Sequence, residues 1–320
     1  MSKKIGLLIG RETTFPNALI EEINRRGQGV TAELVRLGGT RMAEPSEYAV
    51  IVDRISHEIP YYRTFLKTAM IGGTYVINNP FWWSADEKFT GATIASRLGV
   101  AHPRSVALPS HSYIEDIHPV ESLRNLLPRI PWEEHVEYVG GFPVILKPHS
   151  GGGFKKVFKL HTMEQLWEAY NQTGTECMML QQFIEWEKYV RCWVAGRERV
   201  LVMKFDVNAP YPHRYFDEPD YLTPAEHERV TQDALALCRA LGYDMNTVEF
   251  ALKGGVPYAI DFTNPAPDAD YYSLKEKFFR WVVEAMADLC IAKAQEHPRP
   301  PKDVRWSRLL LDHTASGDGQ

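Results

Sequence analysis

Lys147 closes the apolar run "VILKP", and Gly151, Gly152 and Gly153 follow it in "HSGGGFKK". Three glycines let a backbone approach a ligand closely and aim successive N–H groups at it, a geometry suited to phosphate oxygens. Lys147 adds a point charge to the same phosphates. A plain hairpin turn beside a lysine with a solvated head fits the same letters, so this motif alone leaves both readings open. A second constellation lies in "TVEFALKGGVPYAIDFTNP", where Glu249 and Asp261 each interrupt an apolar run. Lys253, Gly254 and Gly255 form a turn between them, so an antiparallel pairing can bring both acids to one face. Two uncompensated like charges would repel, and burying a carboxylate is costly without a cation or hydrogen bonds. A divalent cation answers both difficulties, and Asn264 adds a neutral oxygen donor. Two carboxylates and an amide oxygen suit magnesium better than zinc. The competing arrangement is two acids on the solvent face of an edge hairpin, which "VEFAL" and "AIDF" make uncomfortably apolar.

The stretch "MMLQQFIEWEKYVR" carries Gln181 and Gln182, then Phe183 and Ile184, with Glu187 a few residues on. Backbone groups beside apolar side chains can read an adenine edge, and a nearby carboxylate can accept ribose hydroxyls. An ordinary strand end fits as well. No G-x-x-x-x-G-K-[ST] sequence is present, and "GLLIGRETT" does not supply G-x-G-x-x-G, which argues against a P-loop and against a dinucleotide fold.

These residues must be held by elements the sequence also announces. "KIGLLI", "YAVIVDRI" and "TYVINNP" read as strands, separated by helical patterns in "FPNALIEEINRRG" and "YYRTFLKTAMIGG", which predicts a small α/β domain with a partly parallel sheet. "SADEKFTGATIASRLGV" predicts a helix capped by Ser84 and ending at Gly99. Residues 110–140 are polar and loop-like. A strand–turn–strand around the glycines, a helix at "TMEQLWEAYNQT" and a strand at "CMMLQQFI" come next. "YVRCWVAGRERVLVMKFDV" predicts a hairpin turning at Ala-Gly-Arg. Amphipathic helices in "PAEHERVTQDALALCRALG" and "LKEKFFRWVVEAMADLCIAKAQ" flank the acid-bearing hairpin.

The 320 residues exceed one ordinary core and predict two or three domains. A net charge of −5 gives no reason to expect nucleic acid or a membrane surface as partner, so an anionic ligand must be met by local cations. Four cysteines without C-x-x-C spacing predict reduced thiols rather than a disulfide or zinc framework. The first apolar run is too short for a signal peptide, and no stretch approaches the roughly 20 apolar residues of a membrane span, so the expected location is the cytoplasm.

Taken in order, the segments from "SADEKFTGATIASRLGVAHP" to "IDFTNPAPDAD" resemble the ATP-grasp superfamily, over half of the chain, and most resemble its glutathione-synthetase and ribosomal-protein-modifying ligase branch. The resemblance implies an α/β (α+β) ATP-grasp fold: a Rossmann-like pre-ATP-grasp domain over residues 1–105, a small subdomain with the Gly-rich loop over 106–180, and a C-terminal subdomain with the metal site over 181–320. By position, Lys88 in "DEKF" resembles the first nucleotide-binding lysine and Lys147 the second. Gly151, Gly152 and Gly153 resemble the phosphate-covering loop, Gln181, Gln182, Phe183 and Ile184 the adenine hinge, and Glu187 the ribose ligand. Arg191 and Lys204 fall where relatives face the phosphate or substrate, and Glu249, Asp261 and Asn264 match the magnesium ligands. Three departures stand out: the longer acid precedes the shorter, the loop reads "HSGGGFKK", and "PAPDAD" after Asn264 lacks the usual glycine and adds Asp268 and Asp270.

The activity implied is an ATP- and Mg²⁺-dependent ligation of a carboxylate to an amine through an acylphosphate, releasing ADP and phosphate, with an amino acid or small peptide as substrate. One or two ions bind, and Mn²⁺ is a possible substitute. His213, Arg214, Asp268, Tyr271 and Tyr272 flank the metal residues in sequence and are candidates for a substrate pocket. A homo-oligomer is open. The alternative is an ATP-binding protein of the same fold that acts as a sensor or scaffold without ligating anything.

Overall fold

The computed structural model describes residues 2–42, 44–81, 87–117, 119–127, 129–151 and 156–297. It divides into two compact units: Met1–Ser84, Tyr189–Glu249 and Asn264–Gln320 form the first, and Ala85–Lys188 with Phe250–Thr263 form the second.

In the first unit, strands β1 (Lys3–Leu8), β2 (Val30–Leu34), β3 (Tyr48–Asp53) and β4 (Tyr75–Ile77) form a parallel sheet in the order β2-β1-β3-β4. All six residues of β3 are buried, as expected of a parallel strand covered on both faces. Helices α1 (Thr14–Arg26) and α2 (Pro60–Ile71) supply the crossovers that parallel neighbours require. Strand β2 was not anticipated from the sequence. It alternates buried and exposed residues over only five positions, too short a pattern to separate from a loop.

The same unit holds a hairpin of β9 (Lys188–Ala195, of which Lys188 belongs to the second unit) and β10 (Arg199–Phe205). The two-residue edge strand β11 (Tyr215–Phe216) pairs with β10, and the first part of β12 (Met245–Lys253) lies beside β9. Helix α7 (Pro224–Leu241) begins with a reciprocal cap: Thr223 accepts from the Glu226 N–H while the Glu226 side chain accepts from the Thr223 N–H. Helix α8 (Tyr271–Gln295) starts on an Asp270 cap and packs on α1.

In the second unit, β5 (Ser105–Leu108), β6 (Val144–Pro148), β7 (Phe158–Leu160) and β8 (Met178–Gln182) make an antiparallel sheet in the order β5-β8-β6-β7. Helices α3 (Lys88–Arg97), α4 (Pro119–Ser122), α5 (Trp132–Tyr138) and α6 (Met163–Asn171) and strand β13 (Val256–Asp261) complete it. One sheet face, with Leu108, Val144, Leu146 and Leu180, packs with Val136, Leu166 and Tyr170 of α5 and α6 in one buried apolar cluster. Since side chains alternate along a strand, Ile145, Lys147, Met179 and Gln181 face the other way. The turn from β12 to β13 runs through Gly254 and Gly255 at φ of 56° and 73°, a left-handed pair that glycine adopts without a Cβ penalty. Helix α3 starts at Lys88 with Glu87 in the capping position. The predicted cap, Ser84, lies outside the described residues.

Candidate functional site

The second unit brings Lys88, Lys147, Gln181 and Asp261 into the lining of one small pocket, with His102, Phe262 and Thr263 completing much of its wall. Lys147 stands on β6 and Gln181 on β8, on the sheet face turned away from α5 and α6. Both are buried, at 6% and 5% exposure. Lys147 Nζ donates to the Ile260 carbonyl at 3.3 Å, which holds β13 over that face. The Ala259 N–H donates to the Ala101 carbonyl at 2.8 Å and ties β13 to the segment after α3. Lys88 comes from the first turn of α3, whose N–H donates to the His149 carbonyl at 2.6 Å just beyond β6. Gly91, one turn on, lets α3 lie close to the residues after β13: a Cβ there would lie 3.0 Å from Phe262 Cε2. Lys88 Nζ sits 3.2 and 3.3 Å from the two carboxylate oxygens of Asp261, side chains 13% and 27% exposed.

The Gln181 carboxamide donates to Ser105 Oγ at 3.1 Å, which turns its oxygen to other donors. Gln182 lies at the strand end, where its N–H donates to the Arg104 carbonyl at 2.8 Å and its side-chain oxygen accepts from the Arg104 N–H. Ile184 is buried, and the Phe183 ring lies 3.7 Å from Lys159 Nζ and edge-on to Trp186. Glu187 is directed to the β12–β13 turn, where its carboxylate accepts from the Gly254 N–H at 3.3 Å, and it does not line the pocket. Gly151 has φ of 85°, while Gly152 and Gly153 lie outside the described residues.

The first unit assembles a second group. On β9, Tyr189, Arg191 and Trp193 share a face by alternation, and on β12 Met245, Thr247 and Glu249 do. Arg191 Nε lies 3.4 Å from Glu249 Oε1, which brings these two faces together, and Tyr189 donates to Glu249 Oε2 at 2.7 Å. Arg191 also donates to the Tyr215 hydroxyl at 2.9 Å. Asn264 donates its amide N–H to the Thr247 carbonyl at 3.0 Å, so its side-chain oxygen points elsewhere. The Thr247 hydroxyl is buried with no hydrogen-bond partner among the described residues. Glu249, Asn264 and Thr247 thus offer hard oxygen donors, one of them with unmet hydrogen bonding, a set that fits Mg²⁺ rather than a thiolate- or imidazole-seeking metal. Asp261 supplies the same donor type in the second unit.

Lys204 is not on the face of Arg191. Met203 pairs with Arg191 and Lys204 with Val190, so Lys204 points to the opposite side, where it meets Glu218 and the Tyr221 ring. Arg214 donates to the Ala209 carbonyl at 2.8 Å, and the His213 N–H to that of Pro210. Asp268 accepts from the Ser273 hydroxyl and the Asp270 N–H, and its carbonyl accepts from Trp193 Nε1 at 3.1 Å. Although Tyr211 is 59% exposed, partial desolvation and the nearby Asp268 and Asp270 charges push its phenol up to about 12. The Tyr271 N–H donates to Thr14 Oγ1, and its ring packs on Tyr272 and Phe279. Sequence reasoning missed Tyr189, Tyr215 and His102. For Tyr189 the signal was available, because it stands two residues from Arg191 in a strand.

No family model matches the chain. Among curated proteins it is similar to mitochondrial pyruvate carboxylase of Rattus norvegicus, 25% identical over 173 residues, covering 49% of this chain and 14% of that protein. It is also similar to D-alanine–D-alanine ligase of Bacillus anthracis, 28% identical over 149 residues, covering 43% of this chain and 48% of the relative. The matches thus span less than half the length of these relatives. Among solved structures, D-alanine–D-alanine ligase from Bacillus anthracis superposes with a TM-score of 0.63 at 19% identity, over 92% of this chain and 98% of that one. A RimK domain ATP-grasp protein from Sphaerobacter thermophilus gives 0.61 at 18%, over 91% and 98%. The ATP-grasp ligase PsnB, complexed with a phosphomimetic variant of its minimal precursor, Mg and ADP, gives 0.61 at 14%, over 92% and 99%. The chain has the ATP-grasp fold.

Proposed function

We propose that this protein is an ATP-dependent ligase that joins a carboxylate to an amine through an acylphosphate. The observation that carries the reading is the pocket of the second unit, where two lysines, a buried carboxamide and a carboxylate line one cavity. Lys88 and Lys147 bind the nucleotide phosphates. The hinge from Gln181 to Ile184 receives the base, and Glu187, read from the sequence as the ribose ligand, remains a candidate for it. Glu249 and Asn264 of the first unit and Asp261 of the second are the residues that would hold Mg²⁺, which when bound would neutralise the phosphate charge. Ligase names among the similar proteins, D-alanine–D-alanine ligase and PsnB, support the same reaction class.

The chemistry balances in two steps. A carboxylate oxygen of the substrate attacks the γ-phosphorus of ATP, forming the acylphosphate and ADP. The amine nitrogen then attacks the acyl carbon, loses a proton and expels inorganic phosphate. The contribution of the chain is positioning and charge: Lys88, Lys147 and Arg191 hold oxygens whose charge rises during transfer. The substrates belong to the amino acids and small peptides. Incubating the protein with Mg·ATP and a panel of these, and separating the nucleotides, tests the reading. ADP with substrate-dependent phosphate release supports it, and AMP with pyrophosphate contradicts it.

A further inference from the structure

Arg191 and Glu249 are held by more than each other. The Arg191 guanidinium carbon lies 5.2 Å from the centroid of the Phe205 ring, within cation–π range. Tyr189 and Tyr215 flank that ring, with centroids 6.1 and 5.0 Å from it. Tyr215 accepts a hydrogen bond from Arg191, and Tyr189 donates one to Glu249. The two charged side chains are 14% and 6% exposed, and both tyrosines are buried. Burial pushes the Tyr215 phenol well above its ordinary range, so it keeps its proton at physiological pH.

A phenylalanine would fill nearly the same volume at either position, so packing does not call for the two hydroxyls. Each instead contacts one member of a charged pair. An arginine side chain has several rotamers to lose, and a cation that must meet a transferring phosphoryl group is useful only within a fraction of an ångström of its working position. Arginine has five N–H donors in a fixed fork, so a hydrogen bond to Tyr215 on one arm sets where the remaining arms point. A hydroxyl donating to Glu249 Oε2 likewise fixes how the carboxylate is turned.

We infer that Tyr189 and Tyr215 are positioning residues for the proposed ligase reaction, orienting the Glu249 carboxylate toward a divalent cation and the Arg191 guanidinium toward phosphate. This rests on the reading of Glu249 and Arg191 given above.

The test uses the full chain and the non-hydrolysable probe Mg·AMP-PNP in a double-mutant cycle, with thermal melting alongside. Tyr215→Phe should weaken binding about tenfold or more, the usual scale for a lost hydrogen bond to a charged group, with the melting temperature nearly unchanged. The same substitution made in an Arg191→Lys background should change binding little, because lysine keeps the charge but lacks the fork that Tyr215 orients. Tyr189→Phe should raise the Mg²⁺ concentration needed for half-maximal probe binding, and should be silent in a Glu249→Gln background. The inference is overturned if both Tyr→Phe variants bind as wild type, or lose the same factor in the substituted backgrounds. Failure of the wild-type chain to bind the probe overturns the nucleotide reading and the inference with it.

Discussion

Replacing Lys88 by methionine should move two affinities in opposite directions. Lys88 Nζ is 3.2 Å from an Asp261 oxygen, and removing it leaves a carboxylate without that cation in a partly closed pocket. At this separation Coulomb's law gives about 5 kcal/mol at an effective dielectric of ~20 and about 1.3 in water. With the two side chains 13% and 27% exposed, screening argues for the lower half of that interval, about 1–3 kcal/mol. Without the Lys88 charge beside it, Asp261 should bind a divalent cation alone about 10- to 100-fold more tightly, since 1.4 kcal/mol is tenfold. Nucleotide, which loses a phosphate cation, should bind about 10²-fold more weakly in the presence of saturating Mg²⁺. Titration calorimetry with Mg²⁺ alone, and then with ADP at fixed high Mg²⁺, reads both. If Mg²⁺ alone binds no better to Lys88→Met than to wild type, Asp261 is not a metal ligand restrained by Lys88. If ADP affinity is unchanged, Lys88 does not touch phosphate.

Gly91→Val should weaken nucleotide binding and lower the melting temperature by several degrees. Its branched side chain overpacks the contact with Phe262 at a cost of about 1–3 kcal/mol, and Gly91→Ala should do less of both. Glu22, hydrogen-bonded first by Arg25 and then by Arg26, has its carboxyl held down at about 2 against an ordinary 4.5. A depressed acid contributes stability that is present above about 4.5 and lost as pH falls toward 2. Glu22→Gln should therefore melt below wild type near neutral pH, with the difference closing across that interval. A constant difference at every pH refutes the assignment.

What the sequence revealed depended on how local each signal was. Lys147 at the end of "VILKP" was legible because a five-residue apolar strand leading into glycines fixes both the strand and the end at which the lysine emerges. The Gly254–Gly255 turn was legible for the same reason. Lys204 was not. The β9–β10 loop contains three residues, Gly196, Arg197 and Glu198, between the paired Ala195 and Arg199. A two-residue loop would have put Lys204 on the Arg191 face, and one residue more reverses every side chain of β10. The contact of the Glu187 carboxylate with a backbone N–H was not legible either, because a turn 67 residues away supplies it. The cradle around Arg191 is partly tertiary: Tyr189 stands beside it in the same strand, but Tyr215 reaches it from a two-residue edge strand whose pairing no periodicity could announce.

The acylphosphate route requires that a carboxylate oxygen be transferred to phosphate. With a substrate found to support ADP formation, its carboxylate is labelled with ¹⁸O and the released phosphate is analysed by mass spectrometry. An acylphosphate requires one ¹⁸O in each phosphate released, because the oxygen that attacks the γ-phosphorus leaves with it when the amine displaces phosphate. Unlabelled phosphate, or label appearing in AMP, would contradict the account.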